Sequence, residues 1–253
     1  MPYRLDGYIV DGPDMKRWYE YFGYASVYPA ELEAWLASGD TDMTLYINSP
    51  GGDVFAGSLM YSAIQRHGGV TVIIDGLAAS AASFIALGGQ AVKMTLTAEY
   101  MIHNVSMYAE GDYRDMSHAS DELKAANRAI INAYRAKTGL SEPELQALMD
   151  EEHWFDAFEA RKYGFVDEII GAENVTAPDE KVVSIMQARA KRMYAMMRPP
   201  KITAGMVLPE QPTGTDGMNS IPYKKEPRDS GLFSLQEMQL QANKNILGGL
   251  KNE

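Results

Sequence analysis

Three short stretches carry residue types that could do chemistry together. The first, "YINSPGGDVFAG" (46–57), passes from a buried-strand pattern to a helical one across Pro50, Gly51 and Gly52. Glycine bends the backbone at positive φ and lets it approach a ligand closely. A Gly-Gly turn ahead of a helix also leaves free N–H groups, which bind negative oxygen. A phosphate is one such oxygen, but the stretch lacks the lysine and the spacing of a P-loop, and Asp53 would repel it. An oxyanion is the other, and it needs a nucleophile nearby. From this stretch alone a plain tight turn is an equal reading.

The second stretch, "DGLAASAASFIALGG" (75–89), sets Ser80 where a strand pattern meets a helical one, among alanines that allow close packing. A serine there is often only an N-cap. Nucleophilic catalysis would require a base and an acid to orient it. The third stretch, "YMIHNV" (100–105), supplies His103 inside an otherwise apolar strand. Of the four histidines it is the one embedded in a core strand. A lone core histidine is more often structural. His67 lies at a helix end, His118 at a helix start and His153 in a charged loop, and none of these is assigned chemistry.

These residues must be positioned by regular elements, and the hydrophobic pattern supplies them. Strands are expected at 6–10, 43–48, 70–75, 91–96 and 100–105, and helices at 29–38, 54–67, 80–89, about 117–138 and about 141–149. Residues 158–170 read as a helix, a glycine stop and a strand. The run "VTVIID" (70–75) has no polar alternation until its end, as for a strand covered on both faces. The alternation of strands and helices argues for an α/β domain over residues 1–175.

Beyond it the composition changes. Residues 176–253 hold seven of the twelve prolines and read as a flexible tail, with amphipathic helical pieces at 181–197 and 234–247. The stretch from Lys181 to Leu208 has six Lys or Arg and no acid. A partner-docking arm and a bland solvated tail are both compatible with this.

Bulk properties narrow the function classes. The 253 residues carry a formal net charge of -11, with a sequence pI near 4.9, so nucleic acid is not an expected partner. There is no cysteine, which removes disulfides, thiolate metal sites and cysteine nucleophiles together. No apolar run reaches the roughly 18 residues that a membrane span needs, and the N-terminus lacks a signal-peptide pattern. The expectation is a protein of the cytoplasm with no membrane association.

The motifs "LYINSPGGDVFAG", "DGLAASAAS", "MIHN" and "EARKYGFVDEI" occur in the order and rough spacing of the ClpP-type serine peptidases. Over about residues 5–171 the chain resembles that family, and most of all its phage branch, the prohead (head maturation) proteases. The resemblance implies a ClpP/crotonase-like α/β fold of repeated β-β-α units, with a long handle helix at about 117–138 and a largely irregular C-terminal tail. It implies Ser80 as nucleophile, His103 as general base, and the backbone N–H groups of Gly52 and Ala81 as the oxyanion hole. For the third member of the triad it implies Glu152, two residues before Trp154, where ClpP itself has an aspartate. Asp150, Glu151 and Asp156 remain competitors.

The resemblance further implies a serine endopeptidase without metal or organic cofactor, assembled as homo-oligomeric rings. Its substrates would be protein chains, namely capsid and scaffold proteins inside the assembling head in the host cytoplasm. No ATPase partner is indicated. The tail would be a scaffold or capsid-docking arm. Leu123, Ile130, Ile131 and Tyr134 on the handle would serve ring contact or their own core. The substrate would pair with strand edges after Gly52 and after His103. The alternatives are a non-enzymatic capsid scaffold that keeps this fold, a crotonase-type acyl-CoA enzyme, and a Ser–Lys peptidase using Lys93.

Overall fold

The computed structural model describes residues 2–39 and 42–197, all within one compact unit. The helical piece expected at 234–247 lies outside the described residues. The elements begin β1 (Tyr3–Ile9), α1 (Pro13–Tyr21), β2 (Ser26–Val27), α2 (Pro29–Ala37), β3 (Met43–Gly52), α3 (Val54–His67), β4 (Val70–Ala79) and α4 (Ala81–Ala86). They continue with β5 (Ala91–Thr95), β6 (Glu99–Ile102), α5 (Tyr113–Thr138), α6 (Glu142–Asp150), β7 (His153–Phe155), α7 (Ala157–Lys162), β8 (Glu168–Ile170) and α8 (Glu180–Met196). The expected α/β architecture is present, and α5 is the long helix, at 26 residues.

One sheet of eight strands organises the molecule, in the order β2-β1-β3-β4-β5-β8, with every pair along that path parallel. The remaining two strands leave the path at β4. The first half of β4 pairs with β5 (Thr71↔Ala91 to Ile74↔Met94), whereas its last residues pair with β6 (Leu77↔Glu99 to Ala79↔Met101). Gly76 sits at this change of partner, where any Cβ would lie 2.5 Å from Asn48 Oδ1. In turn β6 pairs antiparallel with β7. Three strand ends thereby converge on one corner of the sheet.

The core lies against one face of the sheet. Leu45, Ile47, Val70, Val72, Ile74, Val92 and Met94 are fully buried there under Met60, Ile64 and Ile85. The intervening residues of β3 and β4 are only partly covered. This corrects the expectation that 70–75 is covered on both faces: Thr71, Ile73 and Asp75 lie on a second face that stays half open. That face carries Arg4 bonded to Asp75 (2.8 Å) and Lys93 bonded to Glu168 (2.6 Å).

Helix ends follow their local chemistry. Asp53 caps α3 by accepting from Ala56 N at 2.7 Å, and Gly68 closes it in the left-handed conformation at φ 77°. Asp112 and Asp115 form a capping box that starts α5 at Tyr113, four residues before the start expected from hydrophobic spacing. Its Ile130, Ile131 and Tyr134 are buried in this chain's own core, while Leu123 is half-buried. No helix among the described residues is long and apolar enough to cross a membrane.

Tyr134 joins α5 to α4 through a fully buried hydroxyl chain. Ser83 Oγ donates to the Ser80 carbonyl (2.5 Å), Tyr134 Oη donates to Ser83 Oγ (2.6 Å), and Tyr100 Oη donates to the Ser83 carbonyl (2.9 Å). Burial pushes both phenols up, so they remain protonated donors. Tyr134→Phe removes one of these bonds and is expected to lower stability by about 0.5–1.5 kcal/mol, read from the urea midpoint at unchanged slope.

Candidate active site

The site stands on the ends of β4 and β6, the carboxyl edge where parallel sheets usually bind ligands. Ser80 is the first residue past β4 and His103 the first past β6. The amide of Ser80 donates to the Met101 carbonyl (3.0 Å), so the two strand ends are tied together. The side chains then meet, with His103 Nε2 lying 2.8 Å from Ser80 Oγ. An imidazole so placed can take the hydroxyl proton as the oxygen attacks an electrophile.

Ser80 has φ 54° and ψ -124°, a conformation that side chains rarely adopt. Among the described residues only Asp42, Ser80 and Glu152 are non-glycine residues with positive φ. Such conformations cost about 1–3 kcal/mol each and persist only where the surroundings over-determine them. At Ser80 the constraint is visible. The amide is fixed on Met101, and the carbonyl receives both Ser83 N (3.0 Å) and Ser83 Oγ.

The glycine turn packs against this elbow. A Cβ on Gly51 (φ 93°) would lie 2.6 Å from the Ala79 carbonyl oxygen and 2.7 Å from Ser80 Cβ, so only glycine lets the turn come this close. Gly52 (φ 152°) is pressed on the other side against Ile9. Gly51 N donates to Ser49 Oγ (3.1 Å) and Asp53 N to the Ile9 carbonyl (2.9 Å). Gly52 lies between them, beyond the last β3–β4 pair, Ser49↔Ala78. Ala81 opens α4, so its N–H has no acceptor within its own helix.

Glu152 immediately precedes β7. β6 and β7 pair as Met101↔Trp154 and Ile102↔His153, so the ladder ends one residue before His103 on one strand and one residue after Glu152 on the other. Glu152 holds φ 53°, with its amide on the Met149 carbonyl (3.2 Å). Of the competing acids, Asp150 and Asp156 carry side-chain bonds of their own. Asp150 accepts from Asn104 Nδ2 (2.8 Å) and Gln146 (2.7 Å), and Asn104 and Gln146 hold its carboxyl below its ordinary value. Asp156 caps α7 through Glu159 N (2.8 Å). Glu151 is exposed, and its carbonyl accepts from Lys191 (3.2 Å).

Some expectations are corrected here. His153 belongs to β7 rather than to a charged loop; its ring lies on Phe155 (4.4 Å) and its Nε2 on Glu159 (3.1 Å). Lys93 is held by Glu168 on the half-open sheet face, which leaves a Ser–Lys pair without support. No strand edge follows Gly52, because α3 begins at Val54, and residues 103–112 form no strand.

Other residues were not legible as parts of the site. Asn104 stands in the quoted "MIHN" but had no role. Its Oδ1 accepts from Asn127 (2.8 Å) and Gln146 (3.0 Å), and Asn127 Oδ1 accepts from Val105 N (2.8 Å), which fixes the chain leaving His103 to α5 and α6. Tyr194 of α8 donates to the Pro50 carbonyl (3.2 Å).

A cleft of about 550 Å³ opens over Ser80 and His103. Its apolar lining includes Phe84, Val105, Leu123, Ile130, Phe55 and Tyr194.

Comparisons place this geometry among known proteins. A family model described as Clp protease matches residues 30–173. The chain is similar to the ATP-dependent Clp protease proteolytic subunit 1 of Streptomyces coelicolor, at 34% identity over 144 residues that cover 56% of this chain and 66% of that protein. It is similar to the ATP-dependent Clp protease proteolytic subunit of Chara vulgaris, at 36% over 141 residues covering 54% and 64%. For the subunit of the same description from Bacteroides fragilis the values are 32% over 132 residues, covering 51% and 64%. Each alignment thus spans just under two thirds of the relative's own length.

Glu99 starts β6 and supplies a pH test of this corner. Burial, then the nearby Asp156, push its carboxyl up to about 7, while Arg189 of α8 pulls the other way. The folded protein therefore holds this proton more tightly than the unfolded chain does. The stabilisation is fully present below the ordinary carboxylate pKa and is lost as pH rises toward about 7. Glu99→Gln is expected to match wild type in Tm near pH 4 and to exceed it at pH 8, measured by thermal denaturation across that range.

Proposed function

The chain belongs to the Clp protease family, and on that premise we propose that it is a serine endopeptidase with Ser80 as nucleophile, His103 as general base and Glu152 as the orienting acid. The observation that carries this reading is the 2.8 Å contact between His103 Nε2 and Ser80 Oγ, made at a strained serine between strand and helix. Ser80 Oγ attacks the peptide carbonyl as its proton passes to His103. The N–H groups of Gly52 and Ala81 receive the oxyanion. His103 then protonates the leaving amine, and water repeats the sequence on the acyl-enzyme. Glu152 accepts the second imidazole N–H and stabilises its cation; its place next to the end of the β6–β7 ladder favours it, while Asp150 and Asp156 carry side-chain bonds of their own.

The finer reading is a head-maturation protease of the phage type, cleaving capsid and scaffold chains in homo-oligomeric rings without an ATP-driven partner. The acid two residues before Trp154 and the basic extension after residue 175 favour that branch. For the rings, support comes from the first half of α5. Tyr113 and Met116 are exposed there, as are Met107 and Tyr108 just before it, leaving apolar surface for a neighbouring copy. A non-enzymatic scaffold is the competing function. It gives no reason to maintain the strain at Ser80.

A fluorophosphonate probe tests the chemistry. Wild type is expected to label on Ser80, and Ser80→Ala and His103→Ala to give no adduct by mass spectrometry. Folded wild type that fails to label would instead favour the scaffold. Co-expression with capsid and scaffold chains tests the finer reading: new chain termini should form with wild type and not with Ser80→Ala.

A further inference from the structure

Helix α8 lies past the span that the family model matches, yet it touches the site at two separated places. On one side the Tyr194 hydroxyl donates to the carbonyl of Pro50, the residue that leads into the Gly51–Gly52 turn. On the other, Lys191 Nζ donates to the Glu151 carbonyl (3.2 Å) and Gln187 Nε2 to the Trp154 carbonyl (2.7 Å), so the backbone is held on both flanks of Glu152. Gln187 is itself fixed by Glu159 Oε2 (3.1 Å). Between these anchors the Tyr194 ring stands edge-on to Trp154 (centroids 5.4 Å) and to His103 (6.4 Å). Asp179 caps the helix through Val182 N (2.9 Å), and Ala190 is buried against Met101 and Trp154.

The turn before Gly52 and the turn bearing Glu152 come from opposite ends of the fold. Among the described residues the strand register joins them only by way of β4 and β6. We infer that α8 is a splint across the catalytic site, with Tyr194 as the positioning residue that holds the oxyanion turn, the His103 ring and the acid turn in register. This rests on the serine-peptidase reading above. The chemistry calls for such a part, since a displacement of about 1 Å in an aligned set of groups can lower its rate about 10²-fold.

The test is the rate of fluorophosphonate labelling of full-length protein, resolved into the maximal rate kinact, the half-saturating concentration KI and the final stoichiometry. In this reaction Ser80 Oγ bonds to phosphorus, fluoride leaves and His103 takes the proton, so kinact reads alignment. Tyr194→Ala is expected to label to the wild-type endpoint with similar KI but with kinact lowered about 10²-fold. Tyr194→Phe keeps the ring contacts and loses the bond to Pro50. It should fall between the two and serve as the variant that folds if Tyr194→Ala does not.

A helix that merely stabilises the fold would lower the endpoint and leave the kinact of the remaining sites unchanged, and that result overturns the splint. So does a Tyr194→Phe variant as fast as wild type. Faster labelling of either variant also overturns it, by making α8 a cover over the cleft. Wild type that does not label at all brings down the peptidase reading and this one with it, whereas active wild type with indifferent variants brings down the splint alone.

Discussion

The change of partner along β4 is the constraint from which the rest of the site follows. A strand can pair on each edge with only one neighbour at a time. By leaving β5 at Ile74 and joining β6 from Leu77, β4 carries its last residues out of the main sheet and alongside a different strand. Ser80 and His103 are simply the next residues on those two strands. Because β6 takes β7 on its other edge, the same displacement brings in the turn that holds Glu152. Gly76 makes the crossing possible by leaving room for Asn48.

What the sheet brings together, buried polar bonds keep in place. Ser80 is held from its amide by Met101 and from its carbonyl by Ser83, which is held in turn by Tyr134 and Tyr100. His103 is followed by Asn104, whose amide group satisfies partners on two helices. A buried network such as the one around Ser83 is costly when incomplete and rigid when satisfied, which is what a strained nucleophile requires of its surroundings.

Much of this was legible in the amino-acid order, for identifiable reasons. Helix α3 matched its expected bounds at both ends, because Asp53 and Gly68 are strong local signals. Ser80 and His103 each had a bland reading alone, as an N-cap and as a core histidine, and stood out through the order and spacing of the four motifs. The strands β2 and β7 were missed, since two or three residues carry no period. The same gap hid the true setting of His153. Helix α1 was missed although Met15, Trp18 and Tyr19 recur at helical spacing among its half-buried residues. Asn104, Ser83 and Tyr134 were beyond reach because their meaning lies in partners up to 51 positions away. Glu152 required the motif resemblance, since nothing in its local composition sets it apart from Asp150, Glu151 and Asp156.

The bond from Tyr194 to Pro50 has a further consequence in time. It closes a loop of 144 positions, and its later partner lies after every strand of the sheet. At the usual 5–20 residues per second of synthesis, roughly 7–29 s separate the emergence of Pro50 from that of Tyr194. During that interval the nascent chain can already pair β3 with β4 and carry Ser80 and His103, but it lacks the clamp on the Pro50 turn. Order of synthesis therefore leaves the newborn chain with an unfastened catalytic corner while it is still beside the ribosome.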